Sequence, residues 1–239
     1  MWDTVTVERG TGRDTLRCSV PVTEDVNDNL CMKALRVFFT ETAMESGGVS
    51  ITLEKHIPTQ AGLGGGSSDA AEMIKGLNER FRLGLTDDDM RRRIARFGAD
   101  CAFFIDGKPA YAEGIGDVLT PADVSLKGKT LVLVKPPVAV STREAYSGVV
   151  PAQPEHDLRE ALSRPIETWR ETVSNDFERS VFRLHPTIGA IKNTLYDLGA
   201  LYASMSGSGS TVFGIFPHRM EGIEAAFKDC FVYQEQIRR

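Results

Sequence analysis

The stretch from Pro58 to Ala71, PTQAGLGGGSSDAA, contains the residue types that bind phosphate. Five of the six residues from Gly62 to Ser67 are Gly or Ser, and a helical pattern follows directly. Glycine permits positive φ angles and a close approach of a ligand, while a helix that begins near Ser67 points its unpaired amides and its dipole toward the same place. The stretch therefore predicts a loop that binds phosphate.

Two common phosphate loops do not match this stretch. The Walker pattern needs a Lys-Ser or Lys-Thr pair after its last glycine, and none follows here. In the dinucleotide fingerprint, Gly62 and Gly64 fill the first two glycine positions, but Ser67 occupies the third. A glycine-rich turn that caps an ordinary helix is the alternative that the loop alone leaves open.

Two further features suggest a nucleoside-triphosphate site. Asp100 alone is more typical of a turn residue, and the second Gly/Ser loop, Ser206 to Ser210, alone is more typical of a hairpin tip. Together with the first loop, they suggest a site in which backbone amides hold phosphates and a carboxylate faces an alcohol.

The first loop has the neighbours that a phosphate loop requires. Val49 to His56 alternates apolar and polar residues, which predicts a strand that ends at the loop. After the loop, one apolar stripe predicts a helix; it contains Ala70, Ile74, Leu77 and Phe81. Asp69 is expected in the first turn of this helix, where an interaction with the helix dipole is favoured over a direct metal role.

The other predicted elements suggest two lobes with a boundary near Pro121 to Lys129. A hairpin is expected from Asp3 to Glu8 and Thr15 to Val20, and a helix from Asp28 to Thr42. Thr86 and Asp89 predict a capping box for a helix that Gly98 ends. The remaining predictions are a strand pair at Cys101 to Ile105 and Pro109 to Ala112, a strand at Leu131 to Val134, a helix closed by Gly199, and a strand, turn and strand from Leu201 to Phe216.

Composition excludes several classes of protein. The 239 residues are 41% hydrophobic and carry a net charge of −5, which favours a globular chain without a nucleic-acid partner. The four cysteines lack metal-site spacing, so neither a zinc site nor a disulfide framework is expected. No segment has the apolar length of a membrane span, and the N-terminus lacks the pattern of a signal peptide. The chain is therefore expected to be cytoplasmic.

Several motifs together resemble the GHMP small-molecule kinases over nearly the whole chain. GLGGGSSDAA (Gly62 to Ala71) resembles the ATP loop of that family, and FGADCAFF (Phe97 to Phe104) its catalytic-aspartate segment. The match continues in order with AEGIGDVLTP (Ala112 to Pro121), STREAY (Ser141 to Tyr146), NDFE (Asn175 to Glu178) and MSGSGSTVFGIF (Met205 to Phe216).

The resemblance implies a two-lobe fold that mixes α and β structure. It places a ribosomal-S5-like N-terminal lobe at residues 1–125 and a ferredoxin-like C-terminal lobe at residues 126–239. The implied activity is ATP-dependent phosphorylation of the 2-hydroxyl of 4-diphosphocytidyl-2-C-methyl-D-erythritol, in the non-mevalonate route to isoprenoid precursors. ATP and Mg²⁺ are the implied cofactors. Whether the protein forms a homodimer is a question that the resemblance leaves open.

The resemblance also implies roles for individual residues. Asp100 is the catalytic base or orienting group for the hydroxyl, and Ser68 is a candidate Mg²⁺ ligand. Thr142 and Tyr146 lie beside the cytidine, while Gly207 and Gly209 approach the phosphate end of the substrate. The implied ATP-binding residues are Lys55, Pro58, Gly62, Leu63, Gly64, Gly65, Gly66, Ser67 and Ser68.

The N-terminus departs from the family pattern. Members begin with a catalytic Lys and a nearby Asn, followed by a Tyr-His pair, and this sequence contains neither feature. Trp2 to Glu8 resembles the strand that follows them, so a truncated chain or a mis-assigned start codon is expected. Loss of one such charge contact typically costs ~10²- to 10³-fold in rate. The 239-residue chain is therefore expected to be unstable or nearly inactive.

Two other functions stay open at this point. The ATP loop is shared across the superfamily, so the substrate could be mevalonate, homoserine or a sugar alcohol, although NDFE and STREAY argue against these. A non-catalytic nucleotide-binding module is the second alternative. The retained Asp100 and the two Gly/Ser loops argue against it.

Overall fold

The computed structural model describes residues 1–42, 47–153 and 155–238. Its contacts divide the chain into two units. Unit 1 contains Met1–Thr59 and Gly64–Ala122, and unit 2 contains Gln60–Leu63 and Asp123–Arg239.

Unit 1 contains a three-stranded sheet and the helices that pack with it. The strands are β1 (Thr4–Arg9), β2 (Thr15–Cys18) and β3 (Val49–Glu54). The helices are α1 (Leu30–Thr42), α2 (Gly65–Phe81), α3 (Asp87–Ile94) and α4 (Phe103–Asp106), with 3₁₀ turns at Val26–Asp28 and Ala99–Cys101. A separate hairpin pairs β4 (Ala110–Glu113) with β5 (Val118–Pro121).

The predicted hairpin of the first two strands is wrong. The sheet order is β1-β3-β2, so β3 lies between them, antiparallel to β1 and parallel to β2. The alternating residues of β3, Val49, Ile51 and Leu53, are almost fully buried, whereas β1 and β2 are only half-buried. The most apolar strand therefore takes the centre, and α1 provides the crossover that the parallel pair requires.

Two other local predictions need correction. The capping box between Thr86 and Asp89 is present, but α3 ends at Ile94 rather than at Gly98, which is extended at φ −177°. The expected strand at Cys101 to Ile105 is helical instead, because α4 occupies most of it. A short apolar run fits a buried helix as well as a strand, and here Ile105 contributes to a helical core.

Unit 2 is built on a four-stranded antiparallel sheet. The strands are β6 (Thr130–Lys135), β7 (Tyr202–Met205), β8 (Val212–Phe216) and β9 (Phe231–Gln236), in the order β7-β8-β6-β9. This is the ferredoxin-like order expected for the C-terminal lobe. The helices are α5 (Thr142–Ser147), α6 (Leu158–Ser163), α7 (Trp169–Thr172), α8 (Glu178–Leu184) and α9 (Pro186–Asp197), with 3₁₀ turns at Ile166–Thr168 and Ile223–Ala226.

Each unit has its own apolar core. In unit 1, the core contains Phe38, Ile51 and Leu77 from α1, β3 and α2. In unit 2, Val134 and Phe216 of the sheet pack with the α9 stripe predicted from Ile188 to Leu198, which Gly199 ends at φ +94°. Among the described residues, no helix has both the length and the apolar character that crossing a bilayer needs.

Candidate active site

The first Gly/Ser loop leads into a helix start that presents free amide donors. α2 begins at Gly65, two residues earlier than predicted, so two glycines lie in its first turn. Its N-cap residue, Gly64, is left-handed at φ +66° and has no side chain to cap the helix. The Ser68 amide donates to the Gly64 carbonyl at 2.9 Å, whereas the amides of Gly65, Gly66 and Ser67 have no acceptor in the described chain. Such a helix start attracts an anion.

Packing against an aromatic ring explains why Gly64 must be glycine. A Cβ atom at this position would lie 2.6 Å from the Phe104 ring of α4. The positive φ of Gly64 would also strain any residue with a side chain. The FGADCAFF segment therefore supports the helix start directly within unit 1.

A buried ion-pair cluster lies under this helix start. Lys55, which follows β3, contacts the carboxylates of Asp3 and Asp69, and its Nζ is 2.7 Å from Asp69 Oδ2. The three side chains are between 2% and 5% exposed. Lys55 also lies beside the loop, because a Cβ atom on Gly65 would be 3.4 Å from its Nζ. Pro58 is half-buried in the connection between Lys55 and the loop.

The expectation that Asp69 interacts with the helix dipole is wrong. Asp69 is the fifth residue of α2, beyond its first turn, and it points into the core toward Lys55. Burial raises the pKa of Asp69 to about 6, although Lys55 opposes the shift. Burial also acts to raise the pKa of Asp3. Hydrogen bonds from Lys55 and from the amides of Ile57 and His56 outweigh burial, so the pKa of Asp3 is lowered. The cluster therefore holds two buried carboxyl groups with opposite shifts.

Asp100 lies in the 3₁₀ turn Ala99–Cys101, which is followed by α4 and not by the strand that the sequence predicts from Cys101. Its side chain is exposed, and it has no hydrogen bond or ion pair with the described residues. Burial raises the pKa of the adjacent Cys101 thiol, and a hydrogen bond with Ser67 opposes this shift. The Ser67 side chain, in the first turn of α2, therefore lies close to the residue next to Asp100.

The serines of the loop differ in their availability for a metal ion. The half-buried Ser68 hydroxyl has no hydrogen bond in the described chain, whereas Ser67 lies near the Cys101 thiol and influences its pKa. Asp69 is held by Lys55. No group of three or more His, Cys, Asp or Glu side chains in the described ranges could hold a metal ion. Ser68 is thus the free oxygen ligand that this loop can offer.

The second Gly/Ser loop is the tip of the β7–β8 hairpin, as predicted, and Gly207 and Gly209 are left-handed at φ +53° and +89°. It contacts the beginning of the first loop, which belongs to the same unit. Ser206 Oγ donates to the Gly62 carbonyl at 2.8 Å, and the Thr211 amide donates to the Ala61 carbonyl at 3.2 Å.

Gly62 has no room for a side chain at this contact. A Cβ atom there would lie 2.0 Å from the Ser206 carbonyl oxygen and 3.0 Å from Gly209 N. The half-buried Leu63 continues the chain from Gly62 toward α2. Glycine is therefore needed where the hairpin tip touches Gln60–Leu63, the part of the first loop that belongs to unit 2.

The residues expected beside the cytidine lie on α5. The Ser141 hydroxyl caps this helix by accepting from the Glu144 amide, and Thr142 is its exposed first residue. Tyr146 is 65% exposed, and its ring meets Phe177 edge to face at 4.8 Å between centroids. An exposed ring fixed in this way suits stacking with a base.

Sequence reasoning missed the residues that hold these features in place. Asp3 contacts Lys55, and Asn175 and Glu178 contact the β7–β8 hairpin, but the sequence alone assigns no role to these three residues. The short NDFE string was the available signal for Asn175 and Glu178. Nothing local marks Asp3, because its contacts are 52 to 54 residues away along the chain.

Comparisons with known proteins give the class to which this fold and site belong. Residues 29–108 match the family model of the GHMP kinase N-terminal domain, and residues 157–232 match that of the GHMP kinase C-terminal domain. The chain belongs to the GHMP kinase family.

Individual relatives carry a more specific name. The chain is similar to the 4-diphosphocytidyl-2-C-methyl-D-erythritol kinase of Bacteroides fragilis, with 50% identity over 210 residues, 88% of this chain and 76% of the relative. The protein of the same name from Bacteroides thetaiotaomicron is 52% identical over 189 residues, 79% of this chain and 68% of the relative.

Solved structures show the same fold. The crystal structure of a 4-(cytidine 5'-diphospho)-2C-methyl-D-erythritol kinase has a TM-score of 0.74 and 28% identity, and the match covers 97% of this chain and 85% of that chain. Mevalonate kinase from Methanococcus jannaschii has a TM-score of 0.67 at 14% identity over 97% of this chain and 87% of that chain. The second likeness shows the fold alone.

Proposed function

We propose that this protein transfers the γ-phosphoryl group of ATP to the 2-hydroxyl of 4-diphosphocytidyl-2-C-methyl-D-erythritol in isoprenoid precursor synthesis. The observation that carries phosphoryl transfer is the start of α2, where three successive amides have no acceptor in the described chain. The names of the relatives at 50% and 52% identity support the choice of acceptor.

In this proposal, the first loop binds the triphosphate of ATP. The amides of Gly65, Gly66 and Ser67 donate to phosphate oxygens, because nothing else in the described chain takes these hydrogen bonds. Gly62, Leu63 and Gly64 bring the backbone to the phosphates, and Pro58 shapes the entry to the loop. Lys55 lies beside Gly65 and adds positive charge near the nucleotide, although two carboxylates hold its amino group.

Asp100 accepts the proton of the acceptor hydroxyl as that oxygen attacks the γ-phosphorus and ADP leaves. Its exposed carboxylate suits this role, since no group in the described chain occupies it. Mg²⁺ neutralises phosphate charge when bound. Ser68 would contribute a protein oxygen to that ion, with the phosphates and water supplying the others.

Four further residues contribute to the binding of the acceptor. Tyr146 and Thr142 face the cytidine, and Gly207 and Gly209 let the hairpin backbone approach its diphosphate. We place the enzyme in the cytoplasm, a compartment that suits four free thiols.

The test is an ATP-dependent phosphorylation assay on the complete protein encoded by the gene, with this acceptor and with mevalonate and homoserine in competition. We expect product with the cytidylyl acceptor only. Asp100→Asn should lower kcat by ~10²- to 10⁴-fold with nucleotide binding unchanged. A higher kcat/KM on either competitor, or an Asp100→Asn enzyme with the wild-type rate, would refute the assignment.

A further inference from the structure

The turn before α8, Asn175 to Glu178, makes a set of contacts that the mechanism above does not use. The Asn175 Nδ2 group donates to the carbonyl oxygens of Met205 and Gly207, each at 2.8 Å. Its Oδ1 accepts from the Phe177 amide at 3.0 Å. Because a backbone amide requires an acceptor and two carbonyls require donors, these three contacts fix which way the Asn175 amide faces.

The contact with Gly207 determines where the next amide points. The Gly207–Ser208 peptide is trans, so its N–H is opposite to its C=O. Since the carbonyl faces Asn175, the Ser208 N–H points away from Asn175. No residue in the described ranges accepts from this amide. Asn175 thus orients a free donor at the tip of the hairpin so that it points away from Asn175 itself.

Glu178 contacts the same hairpin at Ser204 and Met205. Its Oε1 accepts from the Met205 amide at 2.8 Å and from Ser204 Oγ at 2.9 Å, and Lys192 neutralises it at 2.5 Å. β7 is an edge strand, and the turn takes both polar groups of its last residue: Asn175 takes the Met205 carbonyl and Glu178 the amide. The loop therefore starts from a fixed point.

The turn also supports the aromatic residue on α5. The Phe177 ring is the edge-to-face partner of Tyr146. Residues within one turn of chain thus contact both the hairpin tip and the exposed ring. In the proposed reaction, these are the two features that face the acceptor.

We propose that Asn175 is a positioning residue for the acceptor substrate: by holding the Gly207 carbonyl, it orients the Ser208 amide toward an anionic group of the acceptor, its diphosphate. This inference rests on the proposed function. Asn175 itself does not touch the substrate. Its effect should appear in the binding of the acceptor rather than in that of ATP, because the donors assigned to the ATP phosphates are the amides of Gly65, Gly66 and Ser67, which Asn175 does not contact.

The test compares Asn175→Asp with Asn175→Ala and with Asp176→Asn in the complete protein. Asn175→Asp keeps the side-chain shape and the contact from the Phe177 amide but places a carboxylate against two carbonyl oxygens. Asn175→Ala removes the donors without this repulsion. Asp176→Asn is the matched control, since it makes the reverse change at the exposed neighbouring residue, which has no polar contact in the described chain.

We expect Asn175→Asp to raise the KM for the acceptor by about 10- to 100-fold and Asn175→Ala by about 10-fold, because the charge-assisted contact between the Ser208 amide and the diphosphate is lost or weakened. The KM for ATP should stay within about twofold in both. Asp176→Asn should match the wild type. If Asn175→Asp does not fold, Asn175→Ala carries the test.

Three results would overturn the inference. An unchanged acceptor KM in a folded Asn175 variant, with only a lower melting temperature, would show a structural role alone. Equal rises in the KM of ATP and acceptor would show a general disturbance. A wild-type enzyme that does not phosphorylate the acceptor refutes the proposed function, and this inference falls with it.

Discussion

Replacing Gly62 by alanine should separate the two Gly/Ser loops at the point where they touch. A Cβ atom would lie 2.0 Å from the Ser206 carbonyl oxygen, whereas real Cβ contacts essentially never fall below 3.0 Å. The loops must therefore move apart by about 1 Å or more, which is the size of misplacement that costs ~10²-fold in rate. The φ of +70° adds about 1–2 kcal/mol of strain.

The movement also breaks the hydrogen bond from Ser206 Oγ to the Gly62 carbonyl, which contributes about 1 kcal/mol. Together, the strain and the lost hydrogen bond should lower the free energy of unfolding by about 2–3 kcal/mol. Chemical denaturation measures this change, and kcat/KM for both substrates measures the loss in rate. We expect kcat/KM to fall about 100-fold.

Gly222→Ala is the matched control for backbone strain. Gly222 has a φ of +66°, but a Cβ atom there would have no neighbour within 4 Å. This variant should lose about 1–2 kcal/mol from strain and retain its activity. If Gly62→Ala and Gly222→Ala had equal stability and equal kcat/KM, the contact between the loops would be irrelevant and the reasoning refuted.

The buried cluster of Lys55, Asp3 and Asp69 gives two more predictions. Lys55→Met should lower the free energy of unfolding by about 3–5 kcal/mol, because it leaves two unpaired buried carboxylates. The control Lys33→Met removes a surface ion pair with Asp28 and should cost less than about 1 kcal/mol. Similar losses for the two variants in urea denaturation would contradict the stabilising role of the buried cluster. For Asp69, whose pKa rises from 3.8 to about 6 on folding, the stabilisation is present below pH 4 and is lost as the pH rises through 6. Asp69→Asn should remove this pH dependence. The free energy of unfolding of the variant minus that of the wild type should therefore increase from pH 4 to pH 7 by on the order of 3 kcal/mol. Parallel pH profiles of the two proteins would contradict this prediction.

Local patterns were sufficient for the parts of the site that adjacent residues determine. The alternation from Val49 to His56, the glycines and the apolar stripe predicted a strand, a loop and a helix in the right order. The Thr86 capping box and the Ser206 to Ser210 hairpin tip were also correct. Turn chemistry, caps and helical periodicity act over a few residues. The order of several such motifs also identified the family, which the comparisons confirm.

Tertiary structure decided which distant residues meet. β1 and β2 look like a hairpin by sequence, but β3 buries more apolar surface and separates them. Lys55 contacts Asp3 and Asp69, which are 52 and 14 residues away in the sequence. Asn175 contacts Met205 and Gly207, which are 30 and 32 residues away. The sequence by itself determined the two loops and the helix that follows the first of them. Only folding decided what holds them, because buried charges and carbonyls take whichever partner packing brings within hydrogen-bond distance.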